Sequence, residues 1–360
     1  MLEPHQLFPI GAGQPTRNLI DVRAPKEVAQ GSLPYSSFQP ILTDAERHQV
    51  GIRYKKAGQE AATALGYELT DADMPRRIEV WRGLANEDLA AVMCWRGGLR
   101  SKLAQEFADV PDLERVAGGY KAVRNYLLEQ LTPSLERKRT FVLSGLTGTG
   151  KTEVLCGLNL KNVQALDLEA AANHRGSAFG VRGEQPSQQT FENDLMVQLI
   201  LSPATVLVLE DESHRIGGLF LPKPVWREVR RSEVVWLEAP LKERVGRIFD
   251  EYVREPTEQT GLTAVFEALS ANLEKLRQRL GNAGVEDCLA SLETARADWF
   301  NCDAHAPWIR VLLTDYYDPL YKKGVAKLDR PVAFRGDAAA CKAFLAKRAQ
   351  SLGLELTTDY

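Results

Sequence analysis

Cysteine is scarce in this 360-residue chain. There are five, Cys94, Cys156, Cys288, Cys302 and Cys341, and no two form a C-x-x-C pair. An odd, scattered set excludes a disulfide framework and a cysteine-rich zinc site, and it fits a reduced setting. Charge of one sign is missing too: 45 Lys and Arg stand against 48 Asp and Glu, a formal net charge of −3. A nucleic-acid partner would have to be met by a local basic patch rather than by the field of the whole protein. No run reaches the roughly 18 apolar residues of a membrane span. The opening MLEPHQLFPIGAGQ has no basic stretch leading into an apolar one, as a secretory signal would. Repeats and low-complexity tracts are lacking as well. What is there is an ordinary globular composition, 44% hydrophobic and 26% charged, at a length that suits about two domains of ~150 residues. The expectation is a cytoplasmic protein with no membrane partner, monomeric by default.

Strands alternate with helices along the chain. Asn18–Arg23 (NLIDVR) reads as a buried parallel strand, and Pro25 opens a helix to about Gln30 that Gly31 stops. A helix is expected from Thr43 to Leu65, a strand at Ala90–Met93, a helix at Ser101–Phe107, a short strand at Val116–Ala117 and a helix at Lys121–Gln130. Residues 132–139, polar and containing Pro133, read as a linker between residues 1–131 and 140–360. A second alternating unit follows, with strands at Thr140–Ser144, Val163–Leu168, Thr205–Leu209 and Glu233–Leu237. Residues 241–300 are expected to be helical, broken near Thr257–Gly261 and Gly281–Gly284, with a closing helix at Asp337–Gln350. The fold class expected is α/β, with a parallel sheet in each unit.

Residues 145–152 read GLTGTGKT, a full match to G-x-x-x-x-G-K-[ST] after an apolar strand and before a helix. Gly145, Gly148 and Gly150 let backbone N–H groups converge on phosphate oxygens, and Lys151 adds a point charge. Thr152 could hold a magnesium ion. Acidic candidates follow neighbouring strands: Asp167 with Glu169, and Glu210 with Asp211; Asp211 is the other candidate magnesium ligand. The loop argues for phosphate or diphosphate binding and not by itself for ATP hydrolysis.

Cys94 opens CWRGGLRS, after the strand AAVM and before a helix. Trp95, Arg96, Gly97, Gly98, Leu99 and Arg100 form a C-x5-R loop, an anion-sized cradle beside two guanidinium groups. That setting suits a nucleophilic or group-carrying thiol. The other four cysteines read as packing residues.

These residues resemble a known arrangement. Asp21–Pro34 (DVRAPKEVAQGSLP), the Cys94 loop and Gly118–Tyr120 (GGY) are similar to a rhodanese domain. The loop is one residue longer than in sulfurtransferases of that type and resembles that of the related dual-specificity phosphatases, which carry His where this chain has Met93. Joined to GLTGTGKT, to Asp167–Gly180 (DLEAAANHRGSAFG) and to Leu209–Gly217 (LEDESHRIG), the pattern resembles the tRNA 2-selenouridine synthase family over about residues 18–335.

The resemblance implies a rhodanese-like domain followed by a P-loop domain, acting on wobble 2-thiouridine in the anticodon stem-loop of tRNA. It implies S-geranylation from geranyl diphosphate, then replacement of the S-geranyl group with selenium from selenophosphate, with an enzyme supplying selenophosphate as a partner. In that scheme Cys94 is the selanyl-cysteine carrier, Arg100 helps hold the anion, and Gly145–Thr152 takes the diphosphate, with magnesium as a candidate cofactor. His174 and Arg175 are candidate substrate-loop residues. Trp95 is a candidate for stacking on the base. Candidate tRNA contacts are Arg76, Arg77 and Arg82; Arg137, Lys138 and Arg139; Arg227, Arg230 and Arg231; and Lys322 and Lys323. The competing expectation is a rhodanese-type phosphatase or sulfurtransferase fused to a nucleotide kinase or NTPase.

Overall fold

A computed structural model describes residues 1–87, 89–174, 183–326 and 328–355. The chain divides into two compact units, Met1–Arg137 with Gln185–Pro203, and Lys138–Glu184 with Ala204–Tyr360.

The first unit is built on four parallel strands, β1 (Asn18–Asp21), β2 (Ser36–Phe38), β3 (Ala90–Met93) and β4 (Glu114–Arg115), in the order β2-β1-β3-β4. Ile20 pairs with Val92 and Asp21 with Met93, so β1 and β3 end level. All four residues of β3 are buried, as the apolar run AAVM requires of a central parallel strand. β4 is displaced slightly from the expected Val116–Ala117; Val116 instead bridges to Leu2. The helix Asp44–Thr70 starts where expected, because Thr43 and Glu46 cap each other's backbone N–H groups. It kinks at Gly58, which has φ +80°, and runs five residues past the expected end.

Two features differ from the expected domain layout. The segment expected as a linker is mostly helix: Gly119–Glu136 is continuous through Pro133. Leu131, Ser134 and Leu135 are buried there, and that packing overrides the local cost of proline. The helix Gln188–Leu201, which the sequence reading left unassigned, belongs to the first unit. It is buried or half-buried nearly all round, with only Gln198 exposed, so its polar residues have to find partners inside the unit. It is fastened to the helix Gly119–Glu136 by Arg124, which donates to Asn193 Oδ1 at 2.7 Å and pairs with Glu192.

The second unit has a five-stranded parallel sheet. Its strands are β5 (Arg139–Gly145), β6 (Val163–Leu166), β7 (Val206–Glu210), β10 (Glu233–Leu237) and β11 (Val332–Gly336), ordered β11-β10-β5-β7-β6. A small hairpin, β8 (Arg215–Ile216) and β9 (Leu219–Phe220), leaves after β7. β5 and β7 are neighbours, with Leu143 opposite Glu210, so the glycine loop and the acidic segment emerge side by side. Helices from Leu241 to Ala326 build a separate apolar core around Trp299, Trp308 and Leu292. The chain breaks at Gly261 and Gly281, both at positive φ, match the expected ones. Two π-helical stretches, Asp250–Arg254 and Leu312–Tyr317, interrupt the helices. Among the described residues no helix is long and apolar enough to cross a membrane.

Candidate functional site

In the first unit the strand β3 delivers Cys94 to the end of the sheet, 3% exposed. Its thiol donates to Ser101 Oγ at 3.3 Å, and that hydroxyl donates to Gly98 O at 3.0 Å, so sulfur is tied to the start of the helix Leu99–Ala108. The loop is braced from behind by the GGY motif. Tyr120 N donates to Cys94 O and Lys121 N to Trp95 O. Gly97 and Gly119 both have positive φ, and a Cβ on Gly119 would stand 2.2 Å from Cys94 O. The two glycines therefore let the two backbones touch.

Arg100 reaches back to Glu27 with a double hydrogen bond, Nη1–Oε2 2.5 Å and Nη2–Oε1 3.1 Å. Burial pushes the Glu27 carboxyl up, but Arg100, the Ala24 N–H and Arg47 outweigh it and hold it below the usual range. Arg23 and Asp21, from the motif that resembles rhodanese, are fully buried and paired with each other at 2.6 Å. Arg23 lies 3.8 Å from the Tyr120 ring centre, and Trp95 stacks on Tyr120 at 5.4 Å. Trp95 is thus already engaged on one face. Arg96 is exposed beside the loop, as are Gly98 and Leu99.

In the second unit the loop Gly145–Thr152 follows β5. Gly148 and Gly150 have φ +78° and +88°, the left-handed values that glycine accepts freely. Arg244 donates to Thr147 O at 2.8 Å while paired with Asp318, and Arg247 donates to Gly148 O at 3.4 Å. These two arginines brace the loop from the helix Leu241–Phe249, eighty and more residues away in sequence. Lys151 Nζ donates to Gly145 O at 3.2 Å and lies 5.7 Å from the Tyr321 ring centre. The loop opens on a cavity of about 910 Å³ whose wall includes Thr152, Glu212, Arg247, Arg254 and Tyr321.

Glu169, Glu210 and Glu212 converge in that cavity with carboxylate oxygens within 4.8 Å of one another. Glu210 is 1% exposed and its Oε2 has no hydrogen-bond partner among the described residues. Burial, then repulsion from Glu169 and Glu212, pushes the Glu210 carboxyl well up against the pull of Lys151. Glu212 is pushed up to about 8, again by burial first and Glu169 second. Three crowded carboxylates with an unsatisfied buried oxygen make a donor set suited to a hard divalent cation.

Several expected residues stand elsewhere. Asp211 is not available as a magnesium ligand: Arg330 donates to both of its oxygens at 2.8 Å, Ser144 donates at 2.5 Å, and Tyr321 donates at 3.1 Å. Burial and the Asp211 charge push the Tyr321 phenol up, so it stays a neutral donor. Asp167 caps the short helix Leu168–Ala171, accepting from Ala170 N at 2.8 Å, and its place among the carboxylates is taken by Glu169. His174 Nδ1 is buried with no hydrogen-bond partner among the described residues, whereas Arg175 lies outside them.

In the basic cluster Arg77 and Arg82 are engaged inside the protein, whereas the Arg76 side chain is 71% exposed. Arg76 and Arg77 pair with Asp73, and Arg82 donates to Ala108 O. Arg139 pairs with Glu233, Lys138 donates to Ala204 O, and Arg231 pairs with Glu228. Lys322 and Lys323 are exposed. The sequence reading missed Glu212, Arg247, Tyr321 and Arg330. A helix-spaced pair (Arg244, Arg247) was visible in the sequence, but nothing in it points at the glycine loop.

The family model for the tRNA 2-selenouridine synthase AAA domain matches residues 138–352. Full-length relatives agree with it. The chain is 40% identical over 363 residues to the tRNA 2-selenouridine synthase of Shewanella loihica, covering 93% of this chain and 94% of that one. It is 40% identical over 351 residues to the protein of the same name from Cupriavidus pinatubonensis, covering 92% and 94%, and 39% identical over 341 residues to that from Cupriavidus necator, covering 89% and 92%. With both halves of the chain spanned by these matches, the protein belongs to the tRNA 2-selenouridine synthase family.

Proposed function

We propose that the chain converts wobble 2-thiouridine of tRNA to 2-selenouridine in two transfers. In the first, sulfur attacks C1 of geranyl diphosphate, the C–S bond forms and diphosphate leaves. In the second, the C2–S bond breaks and a C2–Se bond forms, geranyl thiol leaves, and water cleaves the Se–P bond of selenophosphate to release phosphate. The net chemistry consumes no oxidant or reductant. The observation that carries this reading is that one chain holds two loops of different character: a cysteine loop closed by Arg100, and a glycine loop with Lys151 opening on a large cavity.

The division of labour follows from the side chains. Selenophosphate is phosphate-sized and suits the Cys94–Arg100 loop; there its selenium attacks C2 while still bonded to phosphorus, with the Cys94 thiol as proton donor to the departing geranyl thiolate. Diphosphate suits Gly145–Lys151, with Arg247 and Arg254 on the same cavity wall to balance the departing charge. The apolar wall of Ile248, Tyr252 and Leu320 offers cover to the prenyl chain. Thr152, Glu169, Glu210 and Glu212 are the residues that would hold magnesium, which would supply further neutralisation of diphosphate. A protein delivering selenophosphate is the natural supplier of the second step.

The test is mass spectrometry of a 2-thiouridine anticodon-stem RNA incubated first with geranyl diphosphate and then with selenophosphate. The expected products carry one added geranyl group, then selenium in place of sulfur. Lys151→Ala should lose the first product. Cys94→Ala should accumulate it. Rapid hydrolysis of an aryl phosphate or of ATP without RNA, and no geranyl addition, would sink the reading.

A further inference from the structure

We propose that an apolar cavity in the first unit, walled by the helices Asp44–Thr70 and Leu99–Ala108, holds the geranyl chain of S-geranyl-2-thiouridine while selenium replaces sulfur. The assignment rests on the two-step reading above. The cavity measures about 290 Å³. Ile41, Leu42, Ala62, Leu103 and Phe107 are among its walls, together with Leu99 and Arg100 of the cysteine loop. It therefore shares the side chain of Arg100 with the loop proposed to handle the selenium donor. Ile41 and Leu42 also pack in the same apolar cluster as Cys94.

The lining is dry. The hydroxyls of Thr63 and Thr70 are spent on carbonyls of their own helix, Gln59 O and Gly66 O. Arg100 is turned to Glu27. A ligand inside meets carbon and no unpaired hydroxyl of these two threonines. At the rim stand Tyr54, Tyr67 and Leu99, which are 57%, 46% and 39% exposed. Three large apolar side chains left in water around one opening mark a site that something apolar covers.

The size discriminates among occupants. A dry cavity of about 150 Å³ holds benzene; on that scale a ten-carbon chain needs about 250 Å³ and a fifteen-carbon chain about 375 Å³. The cavity has room for the first, whereas the second would reach past its mouth. Gly66 faces it without a side chain: a Cβ there would meet only Val50 Cγ2, at 3.9 Å. Binding the remote chain is also how an enzyme can draw energy for replacing the sulfur at C2.

The experiment uses the full-length protein, selenophosphate, and anticodon-stem RNAs carrying S-dimethylallyl, S-geranyl or S-farnesyl 2-thiouridine. The readout is the ratio of kcat/KM between chain lengths, which does not depend on the fraction of folded protein. Gly66→Leu should lower the geranyl-to-dimethylallyl ratio at least tenfold. Leu103→Ala should raise the farnesyl-to-geranyl ratio by a similar factor. Ratios within twofold of the unaltered protein in both variants would overturn the cavity assignment alone. No conversion of S-geranyl RNA by the unaltered protein would overturn the two-step reading, and the assignment with it.

Discussion

Arg100 and Glu27, seventy-three residues apart, share a two-bond ion pair at 2.5 and 3.1 Å that closes the cysteine loop onto the helix Pro25–Gln30. Glu27 also accepts from Ala24 N at 2.9 Å and pairs with Arg47. The arginine that ends the C-x5-R spacing is therefore held in place before any anion arrives. Pre-positioning of this kind is what an anion cradle needs if it is not to reorganise at each turnover.

Removing that anchor should show in stability. Glu27→Ala leaves Arg100 without its partner and should cost on the order of 3 kcal/mol, read as a fall in denaturation midpoint. The pH dependence has a fixed sign. The folded-state pKa of Glu27 lies below its ordinary value of 4.5. Its contribution is present above that value and is lost as pH falls through the folded pKa. Stability of the unaltered protein should drop below about pH 4.5, and the drop should be smaller in Glu27→Gln.

Asp211 and Glu210 are adjacent in sequence and should behave oppositely. Asp211 is tied to Arg330, Ser144 and Tyr321, so Asp211→Ala strands a guanidinium that is 2% exposed. We expect a loss of about 3–5 kcal/mol in stability, measured by chemical denaturation. Glu210→Gln removes charge from a crowded trio and should leave the melting temperature level or higher. It should reduce geranyl transfer at least tenfold and weaken magnesium binding by calorimetry. Equal stability losses in both variants would contradict this division.

Gly119→Ala tests the bracing of the cysteine loop. A methyl group at 2.2 Å from Cys94 O, on a residue with φ +59°, cannot be accommodated without moving the loop. The expected cost is about 2 kcal/mol, with selenium transfer falling much further than geranyl transfer. A parallel decline of both steps would mean a general folding defect instead.

Cysteine alkylation offers a check that needs no RNA. Burial pushes the thiols of Cys288 and Cys341 up to about 11. At pH 8 both should react with iodoacetamide at least a hundredfold more slowly than exposed Cys156, by peptide mass spectrometry.

What was legible in the sequence was whatever chemistry is written locally. GLTGTGKT, the strand before it and the acids after TVLVL could be placed because each is one contiguous segment with a period or a spacing. The choice between Glu210 and Asp211 could not, since it depends on Arg330, more than a hundred residues on. Likewise Glu169 rather than Asp167 reaches the cavity because Asp167 is consumed as a helix cap, a decision made by backbone geometry. Arg76, Arg77 and Arg82 looked like a basic patch; Asp73 pairs locally with the first two, but the carbonyls that take Arg77 and Arg82, Ile41 O and Ala108 O, come from other elements. The boundary expected at residues 132–139 does contain the division after Arg137, but Pro133 and a polar composition say nothing of the helix there or of Leu131 and Leu135 packing beneath it.

The helix Gln188–Leu201 belongs to the unit that begins the chain, yet it is encoded inside the stretch that forms the other. During synthesis the first unit must wait for residue 203 before its last buried helix exists, while the glycine loop and its strand are already made. The N-terminal unit thus completes itself out of chain order, an exception to the N-terminal-first sequence of domain folding. A gene cut at residue 137 would deliver a polypeptide with Arg124 and Tyr120 deprived of Asn193 and Gln189. The two units are in this sense interleaved in the sequence, and swapping the first for a homologous module would require carrying along a piece encoded within the second.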